Sequence, residues 1–507
     1  MEPGEYRRDY AAYGSASELA RFEHHAGLRA EPDLSPVEER YADLWTREAV
    51  AGLRGALEGT HAQFETERAG LRALAGAAAV GYAERLAREV SDELRDCAGS
   101  AAFEWDGARV SAADGARLLA SEPDAARRRE LARRWLDAAG SCEDLRAARL
   151  GALGDAARSL GFGGRKSLYE ELTGAGLEAL AASAEGFLRR TEDAYMSGLA
   201  WWVARTLPAW HAPGYADLLF FGREAGSEAQ FPARDFRGLY AETLAGLGVR
   251  AGSQPNLRVD EEAREGKSTE TACFAVSPPA DVRLVVGADA GGLGFLRGAF
   301  EEGGRAQMFA WASGETARRH PEFVFAPDGA TERGHGLLLA GLFREPAWLA
   351  ARRGMRESAA AEAARTAALL DLSAARRECA ALSYALALES TAELRSDRLA
   401  EQYVSLHTEA TGFRHEQAAR LLDADEWFES ATRLRARLFA ASSREHLRAR
   451  HGRRWFESRR AGEELIDVWN TASRYRVEEL SRLVWGGGLS FDLLADALEE
   501  ALGGADG

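Results

Sequence analysis

Residues 300–311 read FEEGGRAQMFAW. With histidine in place of Glu301 and Arg305, the stretch would contain HEGGH, the pattern in which two histidines one helical turn apart bind a zinc ion beside a general-base glutamate. As written, it has Glu302 at the position of the general base and lacks both histidines. The stretch therefore has the frame of a metal site without two of the ligands that hold the metal.

The composition limits the partners that this chain can have. Its 507 residues are 46% hydrophobic, which allows a large core, and we predict two halves, residues 1–200 and 201–507. The 80 acidic and 64 basic residues give a net charge of −16. A nucleic-acid backbone or an anionic membrane binds a basic face, so we expect neither as a partner. The oligomeric state stays open.

Targeting and cysteine signals indicate a cytoplasmic protein. The first twenty residues contain no apolar run typical of a secretion signal, and no stretch approaches the ~18 apolar residues of a membrane span. The four cysteines, Cys97, Cys142, Cys273 and Cys379, are far apart and form no CxxC pair. We therefore expect no disulfide framework and no cysteine-type zinc site.

Most of the chain has the composition and spacing of helices. Ala, Leu, Arg and Glu dominate, and apolar residues return at three- and four-residue steps, as in residues 130–160. Glycine-rich breaks at 161–164 and 174–176 separate helices. One region differs, because ACFAV (272–276) and DVRLVV (281–286) predict two short strands of a small sheet.

The order of elements around the opening stretch resembles that of a zinc site. The two strands are followed by the glycine-rich GADAGGLGF (287–295) and then by the helix that contains residues 300–311. A loop and a further helix come next, and this helix contains Glu332. In a zinc site of this layout, a glutamate from the second helix is the third ligand. Glu332 therefore stands at the third-ligand position, and Glu301 and Arg305 stand at the two histidine positions.

From about residue 140 onward, the chain resembles the oligopeptidase clan of zinc metallopeptidases, which includes thimet oligopeptidase and oligoendopeptidase F. The resemblance rests on four stretches, which match the strand pair, the zinc helix, the third-ligand helix and the segment that supplies tyrosines to the transition state. They are GKSTETACFAVSPPADVRLVV (266–286), FEEGGRAQMFAW (300–311), PDGATERGHGLLLAGLFREPAWL (327–349), and EWFESATRLRARLF with HGRRWFESRRAGEELIDVW (within 426–469).

This resemblance implies a mainly α, elongated multi-helical metallopeptidase-like fold, with a cleft and a small β element before the zinc-helix position. Family members would have histidines at 301 and 305 and aromatic hydroxyls near 429 and 433. This chain has Glu301, Arg305, Glu429 and Arg433. Arginine is permanently charged and cannot bind a metal, and each lost oxyanion donor costs about 3–4 kcal/mol of transition-state stabilisation. We therefore expect no zinc cofactor and no peptide hydrolysis by the family mechanism.

The replacing residues suggest ion pairs along the helices. Glu301 and Arg305 are four residues apart with the acid first, which is the favoured orientation for a helical ion pair. Glu429 and Arg433 repeat this spacing. We predict that both pairs form.

Arg305 has a second predicted role. In a zinc site the metal balances the carboxylates around it. Without the metal, the guanidinium of Arg305 can balance Glu302 and Glu332. We therefore predict that Arg305 occupies the volume of the metal.

Two other interpretations of the stretch stay open. The EEGGR segment can be the charged face of an ordinary amphipathic helix in a protein unrelated to peptidases. Alternatively, Glu302, Glu332 and His335 rebuild a metal site, since Glu332 and His335 are three residues apart on one helix face. Without such a metal, we expect His335 to be a solvated histidine or one at the edge of the core.

The function predicted from this pattern is non-catalytic. We expect an inactive homologue of a zinc metallo-oligopeptidase that binds a peptide or a partner protein in the former substrate cleft. The alternatives are a fold retained without peptide binding, an active metal-dependent oligopeptidase with an unusual ligand set, and new chemistry on an anionic ligand bound by a guanidinium. The residues predicted to mark the former cleft are Glu301, Glu302, Arg305, Glu332, Glu429 and Arg433.

Overall fold

The structure is mainly α-helical, as the composition predicts. The computed structural model describes residues 2–208, 212–224, 226–326 and 328–503. Alanine, leucine, glutamate and arginine lose little conformational freedom in a helix and therefore favour it. The α-helices of these residues are α1 (Pro3–His25), α2 (Ser35–Arg40), α3 (Arg47–Gly59), α4 (Glu65–Leu86), α5 (Arg88–Ser100), α6 (Ala112–Ser121), α7 (Ala125–Gly140), α8 (Glu143–Ser159), α9 (Arg165–Thr173), α10 (Leu177–Arg190), α11 (Glu192–Thr206), α12 (Tyr215–Arg223), α13 (Phe236–Gly246), α14 (Leu293–Trp311), α15 (Gly314–Arg319), α16 (Ala330–Ala340), α17 (Pro346–Arg353), α18 (Glu357–Glu389), α19 (Asp397–Thr411), α20 (Glu429–His451), α21 (Arg459–Trp469), α22 (Val477–Leu480) and α23 (Phe491–Gly503).

Short strands form two small sheets. The strands of the described residues are β1 (Ala102–Trp105), β2 (Ala108–Ser111), β3 (Leu257–Asp260), β4 (Ala272–Ser277) and β5 (Asp281–Val285). β1 and β2 form an antiparallel hairpin, and the second sheet has the order β3-β5-β4, with β3 parallel and β4 antiparallel to β5. The predicted strands at 272–276 and 281–286 are confirmed as β4 and β5. β4 lies at an edge of its sheet, with one side open.

The helices around the opening stretch begin where the sequence predicts. Residues 300–311 form the second half of α14, which starts directly after Gly291 and Gly292. Both glycines have positive φ angles, 122° and 109°, which other residues rarely adopt, so the chain can turn sharply from the sheet into the helix. The predicted third-ligand helix is α16. The glycine-rich breaks at 161–164 and 174–176 lie between α8, α9 and α10, as predicted.

The main core surrounds α14, α18 and α20. In α14, Leu296, Phe300 and Met308 are fully buried, and α18 is 33 residues long with most of its apolar positions buried. A second apolar cluster joins α1, α3 and α4, and it includes Tyr6 and Leu74. The cleft described below is lined by helices from both clusters, so its shape is fixed by well-packed elements.

Three further expectations concern disulfides, membrane spans and domains. A disulfide joins Cys97 in α5 to Cys142 just before α8, contrary to the expectation from cysteine spacing. The two cysteines are 45 residues apart, and only the packing of α5 against α8 brings them together. No helix in the described ranges is long and apolar enough to cross a membrane. The division at residue 200 stays a prediction.

Candidate functional site

A cleft of about 1260 Å³ lies beside α14 and α16. Residues of the N-terminal helices α1, α2, α4 and α5 line it, together with residues of α9, α14, α16 and α20. Among the predicted site residues, Arg305, Glu332 and Glu429 line this cleft. The structure thus brings three of the predicted positions to one large concave surface, which is the usual form of a ligand site.

Arg305 lies between two carboxylates from different helices. Its Nη1 donates to Glu302 Oε2 at 2.7 Å, and its Nη2 donates to Glu332 Oε1 at 2.8 Å. Burial acts to lower the pKa of Arg305, but Glu332 and Glu302 outweigh this effect and hold the pKa well above its ordinary value. The guanidinium therefore stays charged and balances both carboxylates, which is the arrangement predicted for it.

The close crossing of α14 and α16 brings these carboxylates to Arg305. A methyl group on Gly304 would lie 2.6 Å from the carbonyl oxygen of His335, and one on Gly336 would lie 2.5 Å from the carbonyl oxygen of Glu301. Both distances are shorter than real carbon contacts, so only glycine permits this approach of the two backbones. The two glycines therefore set the distance between the helix of Arg305 and the helix of Glu332.

Glu301 does not form the predicted ion pair with Arg305. The guanidinium is occupied by Glu302 and Glu332, and the Glu301 side chain instead lines a separate cavity of about 240 Å³ with Arg437. Burial raises the pKa of Glu301 above its usual range. The local rule for residues four apart contributes only about 0.2–0.5 kcal/mol, so a partner on another helix readily overrides it.

The predicted pair of Glu429 and Arg433 is present at the start of α20. Arg433 Nε lies 3.4 Å from Glu429 Oε1, and Arg333 of α16 contacts the same oxygen through Nη2 at 2.7 Å. Arg433 is 47% exposed at its side chain, so it lies at the surface while Glu429 faces the cleft. The shorter contact of Glu429 is therefore with Arg333, a residue that helical spacing does not reveal.

His335 is a core residue, contrary to the expectation of a solvated or core-edge position. It is 1% exposed, and its ring packs edge-on against Phe439 of α20 at 5.2 Å between centroids and near Trp469 of α21 at 6.3 Å. Neither ring nitrogen has a hydrogen-bond partner among the described residues. Burial lowers the pKa of His335 to about 3. Its environment is thus apolar, and no carboxylate binds its ring nitrogens.

Glu18 of α1 is a site residue that the sequence does not reveal. Its Oε2 accepts a hydrogen bond from the amide of Ala275 in β4 at 3.1 Å, while Glu302 Oε2 accepts one from the amide of Cys273 at 2.8 Å. These two amides face the open side of the edge strand β4. An open strand edge can bind an extended peptide through such amides, but here two carboxylates already occupy them.

Two solved structures with a similar fold are a carboxypeptidase and a metallocarboxypeptidase. An apo-Mg structure of the Pyrococcus furiosus carboxypeptidase matches with a TM-score of 0.60 and 15% identity, covering 98% of this chain and 97% of that chain. Metallocarboxypeptidase 1 of Trypanosoma cruzi matches with a TM-score of 0.59 and 13% identity, covering 98% of both chains. No protein-family model and no curated protein matches the sequence.

At these identities the likeness shows the fold alone. The chain has a mainly α, metallopeptidase-like fold over nearly its whole length, which confirms the predicted fold class. The similar structures are carboxypeptidases, and the more specific assignment to the oligopeptidase clan stays a prediction. Since one fold supports many functions, the activity has to be argued from the site residues.

The residues at the centre of the site do not fit a zinc ion. The guanidinium of Arg305, which has no lone pair to offer a metal, lies between the carboxylates that would approach it. Glu301 faces another cavity, and His335 faces the apolar core. Within the part of the chain that the structure describes, no three His, Cys, Asp or Glu side chains are grouped so that they could hold a metal ion.

Proposed function

We propose that this protein is a catalytically inactive relative of the metallopeptidases that binds a peptide or a peptide segment of a partner protein in its cleft. The observation that carries the proposal is the position of Arg305, bonded to both Glu302 and Glu332 at the centre of the site. A guanidinium fixed there occupies the carboxylates of Glu302 and Glu332, which peptide hydrolysis in this fold would use. The cleft of about 1260 Å³ is retained.

One carboxylate oxygen of Glu302 is already occupied by hydrogen bonds. Its Oε2 accepts hydrogen bonds from both Arg305 and the amide of Cys273. A general base needs an oxygen that is free and within reach of the proton that it removes, and two donors already occupy this oxygen. This supports a site whose carboxylates serve structure and charge balance.

The charge of the cleft supports a basic peptide as the ligand. Nine acidic residues and six arginines line it. Glu31, Glu39 and Asp96 on the lining have no ion-pair partner among the described residues, whereas several of the arginines pair with carboxylates. Aromatic side chains, including Trp45 and Trp427, also line the cleft and can stack on a cationic side chain.

The peptide would bind through its side chains rather than as an added strand. The outward amides of Cys273 and Ala275 in β4 are already bonded to Glu302 and Glu18. A peptide main chain that paired with β4 would have to break these bonds. The free carboxylates and aromatic rings of the cleft therefore set the specificity that we propose.

Binding of labelled peptides tests this proposal. Fluorescence anisotropy should show that a nonapeptide with alternating lysines binds at least about tenfold more tightly than a matched peptide with glutamates. Replacing both Glu31→Gln and Glu39→Gln should weaken binding of the lysine peptide and leave the fold intact. The matched control is Glu445→Gln on α20, an exposed residue that does not line the cleft.

Hydrolysis assays separate the proposal from the enzymatic alternatives. Neither peptide should be cleaved with added zinc or with a chelator, and neither addition should change the melting temperature. Zinc-dependent cleavage that a chelator abolishes would contradict the proposal and would favour an active enzyme with an unusual ligand set. Equal binding of both peptides, or no binding, would reject the basic-peptide specificity.

A further inference from the structure

The second cavity, of about 240 Å³, lies on the side of α14 to which Glu301 points. Residues of α12, α14, α16, α18 and α20 line it, and none of them lines the large cleft. Its volume is below the ~300–1,000 Å³ of cavities that hold drug-sized ligands. A ligand of this cavity is therefore a small molecule.

Most charged groups around the second cavity are paired with one another. Asp371 of α18 forms ion pairs with Arg297, with Arg344 at 3.4 Å and with Arg437 at 3.6 Å. Arg437 is also bound by both oxygens of Glu378, at 2.6 and 3.0 Å. These groups form a closed network of fixed charges, which holds the wall of the cavity in place.

Two opposite charges on the lining remain without a partner. Glu301 and Arg377 both line the second cavity, and neither forms a hydrogen bond or an ion pair with any described residue. They also do not pair with each other, so their charged groups are more than 4.0 Å apart. Arg377 is exposed, and Glu301 is partly buried. One carboxylate-bearing and one guanidinium-bearing residue, neither of them paired, thus line the same cavity.

We propose that the second cavity is a binding site for a small zwitterion of the size of a free α-amino acid. Its ammonium group would bind the carboxylate of Glu301, and its carboxylate would bind the guanidinium of Arg377. Apolar lining residues, among them Leu218, Phe221 and Leu337, would contact the carbon atoms of the ligand. A simple anion would leave Glu301 unpaired, and a simple cation would leave Arg377 unpaired.

The burial of Glu301 supports this assignment. Burial raises the pKa of Glu301, because its charged form loses contact with water, while Arg437 and Arg433 act in the opposite direction. An ammonium group in the cavity would stabilise the charged carboxylate directly. The proposal concerns a site separate from the large cleft, so it stands or falls independently of peptide binding there.

Calorimetric titration of the full chain tests the site with defined probes. Glycine, L-alanine and L-leucine carry both charges, whereas acetate and methylammonium carry one charge each. At least one amino acid should bind with an affinity about tenfold or more above that of acetate and methylammonium. Equal binding of acetate would reject the zwitterion in favour of an anion site, and no heat with any amino acid up to about 20 mM would reject the site.

Substitutions connect the binding to the two unpaired charges. Glu301→Gln and Arg377→Met should each weaken amino-acid binding by roughly tenfold or more, since truncating one partner of a charged contact in a desolvated site commonly has at least this effect. Arg398→Met in α19 is the matched control, because Arg398 is exposed, has no partner in the described ranges and does not line the cavity. Unchanged binding in both cavity variants, with their ligand-free melting temperatures intact, would overturn the proposal.

Discussion

Arg305 is held by two carboxylates from different helices, so its removal would leave Glu302 and Glu332 facing each other in a partly buried site. We predict that Arg305→Ala lowers the free energy of unfolding by about 2–4 kcal/mol, because uncompensated buried charges are costly. Urea denaturation at neutral pH measures this loss. The control Arg433→Ala removes a half-exposed arginine and should stay within about 0.5–1 kcal/mol. Similar small losses in both variants would contradict the role of Arg305.

His335 gives the stability a defined dependence on pH. Its pKa is about 3 in the folded protein and 6.5 ordinarily, so between these values the unfolded chain binds a proton that the folded protein does not. The free energy of unfolding therefore falls, through His335, as the pH drops from 6.5 towards 3. We predict that His335→Leu removes this loss. The difference in free energy of unfolding between this variant and the wild type should therefore be roughly 2 kcal/mol more favourable to the variant at pH 5 than at pH 7.5.

Denaturation curves at the two pH values check this prediction for His335. The control is His61→Leu, because His61 is exposed. Its stability relative to the wild type should be the same at both pH values. A His335→Leu variant with the same pH dependence as the wild type would contradict the account.

At the residue scale, the sequence predicts where a charged side chain lies better than it predicts which residue pairs with it. The position of Arg305 between Glu302 and Glu332 follows from the zinc-site layout. The pair of Glu301 with Arg305 does not form, because a helical pair contributes little and a partner from α16 is closer to the guanidinium. Glu18 reaches the site from the other end of the chain, and no local pattern can reveal such a contact.

At the scale of elements, the crossing of α14 and α16 decides the geometry of the site. We predict that Gly304→Ala lowers the free energy of unfolding by about 1–3 kcal/mol, because the added methyl would press on the backbone of His335. Gly186→Ala in α10 is the matched control, since nothing lies within 4 Å of its added methyl. The control should be neutral or stabilising by up to about 1 kcal/mol. Equal effects in thermal and urea denaturation would contradict the close crossing.

The elements near the site could be predicted because their patterns are long or continuously apolar. α14 and α16 have helical spacing over several turns, and β4 and β5 are short runs made mostly of apolar residues. β3 and the hairpin of β1 and β2 have four residues per strand, which is too short for the alternation to be distinctive.

At the scale of the whole molecule, the resemblance predicted from sequence motifs begins at about residue 140, yet helices before this point also build the cleft. Helices α1, α2, α4 and α5 line it, and Tyr10 of α1 donates its hydroxyl hydrogen to the carbonyl oxygen of Phe325. The disulfide between Cys97 and Cys142 links α5 covalently to the start of α8. Such contacts between distant segments depend on tertiary packing, which the spacing of residues along the chain does not show.

The retained frame leads to a prediction for a designed variant. Replacing both Glu301→His and Arg305→His would remove the guanidinium from between Glu302 and Glu332 and supply the two missing imidazoles. We predict that this double variant binds about one zinc ion per chain, because two histidines one helical turn apart and the carboxylate of Glu332 form a common zinc ligand set once the side chain at position 301 turns away from the second cavity. A variant that folds without binding zinc would show that the arrangement of α14 and α16, and not only the side chains at 301 and 305, differs from that of a zinc site.

The zinc content of the wild-type protein tests the central claim most directly. The protein is produced in zinc-supplemented medium, purified without chelator and measured by inductively coupled plasma mass spectrometry, with the double variant as the positive control. We predict zinc near background in the wild type, because the guanidinium of Arg305 lies between Glu302 and Glu332. Zinc close to one ion per chain in the wild type would contradict the account and restore the interpretation of an active metal-dependent enzyme.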